Sequence, residues 1–196
     1  MQAILSPTPL TTRRDLPGDL AMWCFILAEL LVFGIFFVSY AFARAADVAL
    51  FNASQLHLDR TLGLINTVLL ITSSWLVVRA VDSLRQDQGR QGARWLLAAM
   101  GCGALFLLLK ALEFLAKYEA GISMSTNTFY MFYLFLTFFH FMHVILGMVI
   151  LGAIALKARR GGYSRADHGG AETGAAYWHM VDLVWIVLFP LIYVLH

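Results

Sequence analysis

The feature that most constrains the fold of this sequence is residues 128–156, a segment without a single Asp, Glu, Lys or Arg. In a helix, about 20 apolar residues suffice to cross the ~30 Å hydrocarbon layer of a bilayer. Further apolar segments recur along the chain, which is 60% hydrophobic and 13% charged. Because soluble domains carry about 25% charged residues, this composition indicates an integral membrane protein.

We therefore predict an all-α fold, a polytopic membrane bundle of five transmembrane helices. A short N-terminal arm, residues 1–17, precedes a single transmembrane domain, residues 18–196, and residues 44–60 form a predicted loop. The predicted helices cover about residues 18–43, 61–78, 95–116, 128–156 and 175–195. The small-residue pattern Gly170–Gly174 falls at a loop–helix junction, so we do not expect it to pack helices together.

Basic residues predict the orientation of the bundle. The arm, the 79–94 connector and the 157–173 loop together hold ten Lys and Arg residues, whereas the opposite side holds three. Since basic loops stay in the cytoplasm, the N-terminus is predicted to be cytoplasmic and the C-terminus outside. The basic residues lie in loops and not along one helix face, so a nucleic-acid partner is not expected.

A carboxylate lies deep in the first predicted helix. Glu29 is about ten residues from the cytoplasmic end, which is ~15 Å at 1.5 Å per residue. An ionised carboxylate at that depth is costly, so we expect Glu29 to be paired or protonated. It could carry protons, or it could be a protonated side chain that hydrogen-bonds a neighbouring helix.

Two further helices contain polar residues at unusual depth. Lys110 and Glu113 are three residues apart and can form an ion pair within one helix. Alternatively, Lys110 could extend toward the outer surface and Glu113 could turn toward a histidine. Asn66 is a polar point of the second predicted helix.

Histidines recur in the last two predicted helices. His140 and His143 share one helix face, and His179 and Asp182 share another. Such residues can bind transition metals in helix bundles, which would suit a membrane metal oxidoreductase. The Glu-x-x-His signature of di-iron bundles does not recur, so hydrogen bonding between helices is the stronger expectation.

Motifs for other chemistries are absent from the sequence. It contains no Gly-x-Ser-x-Gly, Walker-type loop or dinucleotide fingerprint, so no catalytic nucleophile or nucleotide site is apparent. A proton-coupled transporter with Glu29 as its coupling site is a further alternative. The lack of an evident internal repeat argues against it.

Several motifs, in the order in which they occur along the chain, resemble those of subunit III of the haem–copper oxidase superfamily. Shorter matches are Leu112–Phe114 and Tyr118–Ala120. The longer ones are FILAELLVF at 25–33, LINTVLL at 64–70, FHFMHVILG at 139–147 and YWHMVDLVW at 177–185.

The resemblance implies the five-helix form of a non-catalytic accessory subunit in a bacterial inner membrane. Such a subunit lies beside a catalytic haem-containing subunit of a respiratory electron-transport complex, has no haem or metal of its own, and binds phospholipid. Glu29 matches the family's proton-linked intramembrane carboxylate. The resemblance assigns an internal polar network to Glu113, His140, His143, His179 and Asp182.

Departures from the usual oxidase pattern suggest a subtype. Phe141 replaces a common glycine, and Phe138 precedes Phe139 where glycine is also common. These features are more similar to the subunit III-like accessory protein of bacterial nitric oxide reductases, which would place the chain in denitrification. The alternative is subunit III of a terminal cytochrome c or quinol oxidase.

Overall fold

A computed structural model describes residues 20–165 and 167–195, so the predicted arm at residues 1–17 lies outside the described residues. The elements in order are α1 (Leu20–Ala46), α2 (Val48–Gln55), α3 (Arg60–Arg85), α4 (Gly89–Glu119), α5 (Thr128–Arg159), α6 (Gly169–Phe189) and a π-helical turn (Pro190–Val194). Within this described part, five helices are long and apolar enough to cross a membrane: α1, α3, α4, α5, and α6 with the π-helical turn. The predicted all-α membrane bundle is confirmed.

The helices extend beyond the apolar segments that predicted them. α3 continues to Arg85 and α4 begins at Gly89, so most of the predicted 79–94 connector is helical. The predicted loop at 44–60 contains α2, whose first turn is capped by the side chain of Asp47. Hydropathy marks the part of a helix inside hydrocarbon, whereas backbone hydrogen bonding also supports turns that project into water.

Four helices form a closed ring. α3 packs on α4, α4 on α5, α5 on α6, and α6 on α3. Short connections, such as residues 86–88 between α3 and α4, make consecutive helices antiparallel. α1 lies outside the ring against α5 and α6, and of its residues only Ile26, Phe33 and Tyr40 are buried.

Two glycines allow α6 to approach its neighbours closely. The buried indole of Trp178 packs against Gly103 of α4 and Gly147 of α5. A Cβ added at Gly147 would lie 2.7 Å from this ring, and one added at Gly103 would lie 3.0 Å from it. Small residues at these positions therefore set the spacing of three helices.

The small-residue pattern near the start of α6 also serves helix packing. α6 begins at Gly169, so Gly170–Gly174 lies in its first turns. A Cβ at Gly174 would collide with the side chains of Ile150 and Ile154 on α5. The expectation that this pattern lies outside helix packing is wrong, because α6 begins one and a half turns before its apolar segment.

Candidate functional site

A carboxylate–imidazole pair joins α1 to α5. Glu29 Oε2 lies 3.0 Å from His143 Nε2, and His143 Nδ1 lies 2.8 Å from the backbone oxygen of Phe139. The side chains of Glu29 and His143 are 19% and 11% exposed. Glu29 is therefore paired across helices, as expected for a carboxylate at this depth.

The geometry of this pair determines how many protons it holds. A carbonyl oxygen can only accept, so Nδ1 of His143 must carry a hydrogen. The contact at Nε2 then requires one more proton, either on Nε2 facing a carboxylate or on Glu29 facing a neutral imidazole. The pair is neutral overall in both states. It can therefore move one proton between its two side chains without changing its net charge.

A second group is centred on Lys110, which is fully buried. Its ammonium donates to Glu113 Oε2 at 3.0 Å and to the Tyr193 hydroxyl at 2.7 Å. Glu113 Oε1 accepts from the hydroxyls of Tyr133 at 2.6 Å and Tyr193 at 2.8 Å. The predicted Lys110–Glu113 pair is confirmed. Lys110 points inward instead of extending to the surface, and Glu113 contacts tyrosines instead of a histidine.

This cluster links three elements of the fold. Lys110 and Glu113 come from α4, Tyr133 from α5 and Tyr193 from the π-helical turn. Three charge-assisted hydrogen bonds to the Glu113 carboxylate compensate for part of the cost of burying the charges. The arrangement suits a clamp that holds the end of the chain against the ring of helices.

His140 and Asn66 are buried away from the other polar groups. Within the described part of the chain, none of their side-chain nitrogen and oxygen atoms has a hydrogen-bond partner. The His140 ring lies 5.1 Å from that of Trp185 and 5.8 Å from that of Phe106, measured between centroids. His140 therefore does not make the interhelical hydrogen bond expected of it. Burying polar atoms without partners is costly, and this cost applies to both side chains.

Ser74 of α3 contacts His179 of α6. Its Oγ lies 2.5 Å from His179 Nδ1, whereas the buried Oδ1 of Asp182 has no hydrogen-bond partner within the described part of the chain. His179 lines a cavity of about 260 Å³ between α1, α3 and α6. Sequence reasoning did not select Ser74, because serines are common in membrane helices and spacing alone does not show which one faces α6.

The polar groups lie in separate places and do not form one centre. His143 faces Glu29 on α1, whereas His140 packs toward α4 and α6, so the two histidines diverge despite their spacing. His179 instead contacts α3. Across residues 20–165 and 167–195, no group of three His, Cys, Asp or Glu side chains is placed to hold a metal ion. The geometry therefore gives no support to a His/Asp metal centre.

Sequence comparison covers nearly the whole chain. Residues 16–196 match the family model for cytochrome c oxidase subunit III. The chain belongs to this family. Cytochrome c oxidase subunit 3 of Thermostichus vulcanus is 32% identical over 177 residues, covering 90% of this chain and 86% of the relative. The subunit 3 of a Synechocystis species is 31% identical over 172 residues, covering 87% of this chain and 72% of the relative.

A third relative joins two subunits in one polypeptide. The heme-copper oxidase subunit I+III of Aeropyrum pernix is 31% identical over 180 residues, covering 88% of this chain and 22% of the relative. The resemblance to subunit III is thus confirmed at the level of the family. These relatives carry oxidase names, so they do not extend the resemblance to the nitric oxide reductase accessory protein.

Proposed function

We propose that this member of the subunit III family is a non-catalytic accessory subunit of a terminal haem–copper oxidase. The observation that carries the proposal is the family match over residues 16–196, which includes all five membrane-crossing helices. The chain would thus be a component of an oxidoreductase complex and not an enzyme on its own. In this proposal the haem and the redox metals belong to the partner.

The proposed partner is the catalytic haem-containing subunit I. The Aeropyrum pernix relative supports this choice, because its name joins subunits I and III and its sequence includes a region similar to this chain. A fused polypeptide keeps its parts at high effective concentration, which suits parts that work side by side.

An oxygen-reducing partner is the better-supported choice over a nitric oxide reductase. The relatives are named as subunits of cytochrome c oxidase. Phe138 and Phe141 suggested the nitric oxide reductase subtype. In the structure both contact Phe114, and their ring centroids lie 6.3 and 5.9 Å from the Phe114 centroid. Their contact with α4 concerns helix packing, and it carries no information about the electron acceptor.

The proposed location is the bacterial inner membrane, with the N-terminus in the cytoplasm. Supporting this orientation, one end of the bundle contains a dense group of arginines, Arg90, Arg94, Arg159 and Arg160. The opposite end has fewer basic side chains, as the positive-inside rule requires.

The Glu29–His143 pair is proposed to buffer protons near the catalytic subunit. In Glu29→Gln the amide can still donate to a neutral His143, so we expect assembly of the complex to be retained. We expect slower turnover or earlier inactivation of the partner, because the pair loses its exchangeable proton. Glu172→Gln, at a half-buried position near the end of the bundle, is the control. Unchanged turnover and inactivation lifetime in Glu29→Gln would refute the proton role.

Affinity purification tests the subunit assignment. The tagged full-length chain is purified from its native membrane in mild detergent, and the eluate is examined by absorption spectroscopy and mass spectrometry. A co-eluting haem protein of the cytochrome c oxidase type is expected. A co-eluting nitric oxide reductase would assign the chain to that complex instead. A haem-free chain that accumulates alone would contradict the accessory role.

A further inference from the structure

The cavity beside His179, which we call the lateral cavity, lies between α1, α3 and α6. α1 packs on α5 and α6, whereas α3 packs on α4 and α6, so α6 forms a floor that α1 and α3 share. Ala175 and Ala176 line this floor, and their small side chains leave the space above it open. Val78 of α3 lines the cavity and is 45% exposed, so the cavity continues to the outside of the bundle.

The walls of the lateral cavity are apolar and aromatic. The indole of Trp23 lines it from α1, and Val78 and Val81 line it from α3. An apolar cavity of ~150 Å³ is large enough to hold benzene. The lateral cavity, at about 260 Å³, therefore has room for one substituted ring or two fused rings.

An imidazole nitrogen lies at the inner end of the lateral cavity. His179 is ten residues after Gly169, the first residue of α6, which places it about 15 Å along the helix. Its Nδ1 contacts the hydroxyl of Ser74, whereas its Nε2 has no hydrogen-bond partner within the described part of the chain. A neutral imidazole donates through one nitrogen and accepts through the other, and a serine hydroxyl can complement either tautomer. Nε2 is therefore available to a molecule in the cavity, as a donor or as an acceptor.

The charged side chains at the other end of the lateral cavity are paired with one another. Arg85, Asp82 and Glu172 line this end. The Arg85 guanidinium lies 2.6 Å from the Glu172 carboxylate and 3.8 Å from that of Asp82. One guanidinium between two carboxylates offers no free positive charge to a phosphate group. An acyl chain alone would leave Nε2 of His179 without a hydrogen bond.

We propose that the lateral cavity binds the ring of a membrane quinone or of its hydroquinone. A neutral ring that carries oxygen atoms satisfies both the apolar walls and the imidazole. The carbonyl oxygen of a quinone would accept from Nε2–H of His179, and the hydroxyl of a hydroquinone would donate to Nε2 in the other tautomer. The ring would pack against the indole of Trp23, since aromatic pairs are stabilised beyond the area that they bury. The isoprenoid chain would leave past Val78 into the hydrocarbon.

The test uses the full-length chain in detergent, without the partner subunit. Decylubiquinone is the probe, and its binding is measured by equilibrium titration and by native mass spectrometry. Decylbenzene, which has a ring and a chain but no oxygen atoms, is the control ligand.

Two site variants remove different features of the lateral cavity. His179→Leu removes the hydrogen-bonding nitrogen, and Ala176→Phe fills the space. Ala153→Phe makes the same change at an exposed position of α5 and is the control variant. Unfolding temperatures establish that each variant is folded, and Ala176→Phe carries the test if His179→Leu is unstable.

We expect both site variants to bind decylubiquinone at least tenfold more weakly than the parent chain, a loss of about 1.4 kcal/mol. The control variant should stay within twofold of the parent chain. Decylbenzene should bind the parent chain at least tenfold more weakly than decylubiquinone does. The infrared carbonyl stretch of bound decylubiquinone should move to lower wavenumber in the parent chain and should not move in His179→Leu, because that variant lacks the donor.

Three results would overturn the proposal. The first is unchanged binding of decylubiquinone in either folded site variant. The second is equal affinity for decylbenzene, which would show an unspecific apolar cavity. The third is displacement of decylubiquinone by an equal concentration of dioleoyl phosphatidylglycerol, which would assign the cavity to a phospholipid chain. Because no partner is present, failure here leaves the subunit proposal untouched.

Discussion

The ion pair between Lys110 and Glu113 should contribute far more to stability than the ion pair between Arg85 and Glu172. The exposed pair is the closer one, 2.6 Å against 3.0 Å for the buried pair. The buried pair should nevertheless contribute more to stability, because the Lys110 side chain is 0% exposed whereas that of Arg85 is 51% exposed. Removing one partner of a buried pair costs about 3–5 kcal/mol, whereas exposed pairs contribute about 0–1 kcal/mol.

A double-mutant cycle measures the difference. Lys110→Met leaves the Glu113 carboxylate with its two tyrosine donors, and Glu113→Gln leaves a buried ammonium without a counter-charge. We expect about 3 kcal/mol of destabilisation from either single change. The double variant removes both charges, so it should lose less than the sum of the single changes, with a coupling energy of at least ~2 kcal/mol.

The assay is reversible unfolding by dodecyl sulfate in mixed micelles, followed by tryptophan fluorescence. The control cycle, Arg85→Gln with Glu172→Gln, should give a coupling energy below about 1 kcal/mol. Equal coupling in the two cycles would refute the reasoning that burial determines the energy. Additive losses at Lys110 and Glu113 would show that the two side chains do not interact as the structure describes.

Two further predictions concern helix contacts, and both are measured by the same unfolding assay. Glu29→Ala leaves Nε2 of His143 without its partner and should cost about 1–3 kcal/mol, whereas Glu29→Gln should cost less than half as much. Equal losses would argue against the hydrogen bond. Gly147→Ala brings a Cβ against the Trp178 ring and should cost about 1–3 kcal/mol, while Gly101→Ala, in open space, should be nearly neutral. A neutral Gly147→Ala would contradict the close packing.

Contacts within one helix could be predicted from the sequence. Lys110 and Glu113 pair as their spacing predicts, and His179 and Asp182 are three residues apart on α6 and so share one of its faces. A spacing of three residues fixes relative direction on a helix, so no tertiary information is needed.

Contacts between helices could not be derived in this way. The pairing of Glu29 with His143 depends on how α1 is rotated against α5, and apolar residues on nearly every face of α1 leave that rotation undetermined. The tyrosines around Lys110 illustrate the same limit. Tyr193 reaches the cluster because the chain forms a π-helical turn after α6, and the apolar ending of the sequence does not predict that turn.

The central claim is that this chain serves a partner that reduces oxygen. Its most direct test is to measure oxygen uptake and nitric oxide consumption by the complex captured through the tagged chain, together with its haem and metal content. We predict cyanide-sensitive oxygen uptake in the captured complex that contains the haem-containing partner, and no uptake after the partner has been removed. Nitric oxide consumption without oxygen uptake would contradict this claim, and so would redox activity with stoichiometric metal in the stripped, haem-free chain.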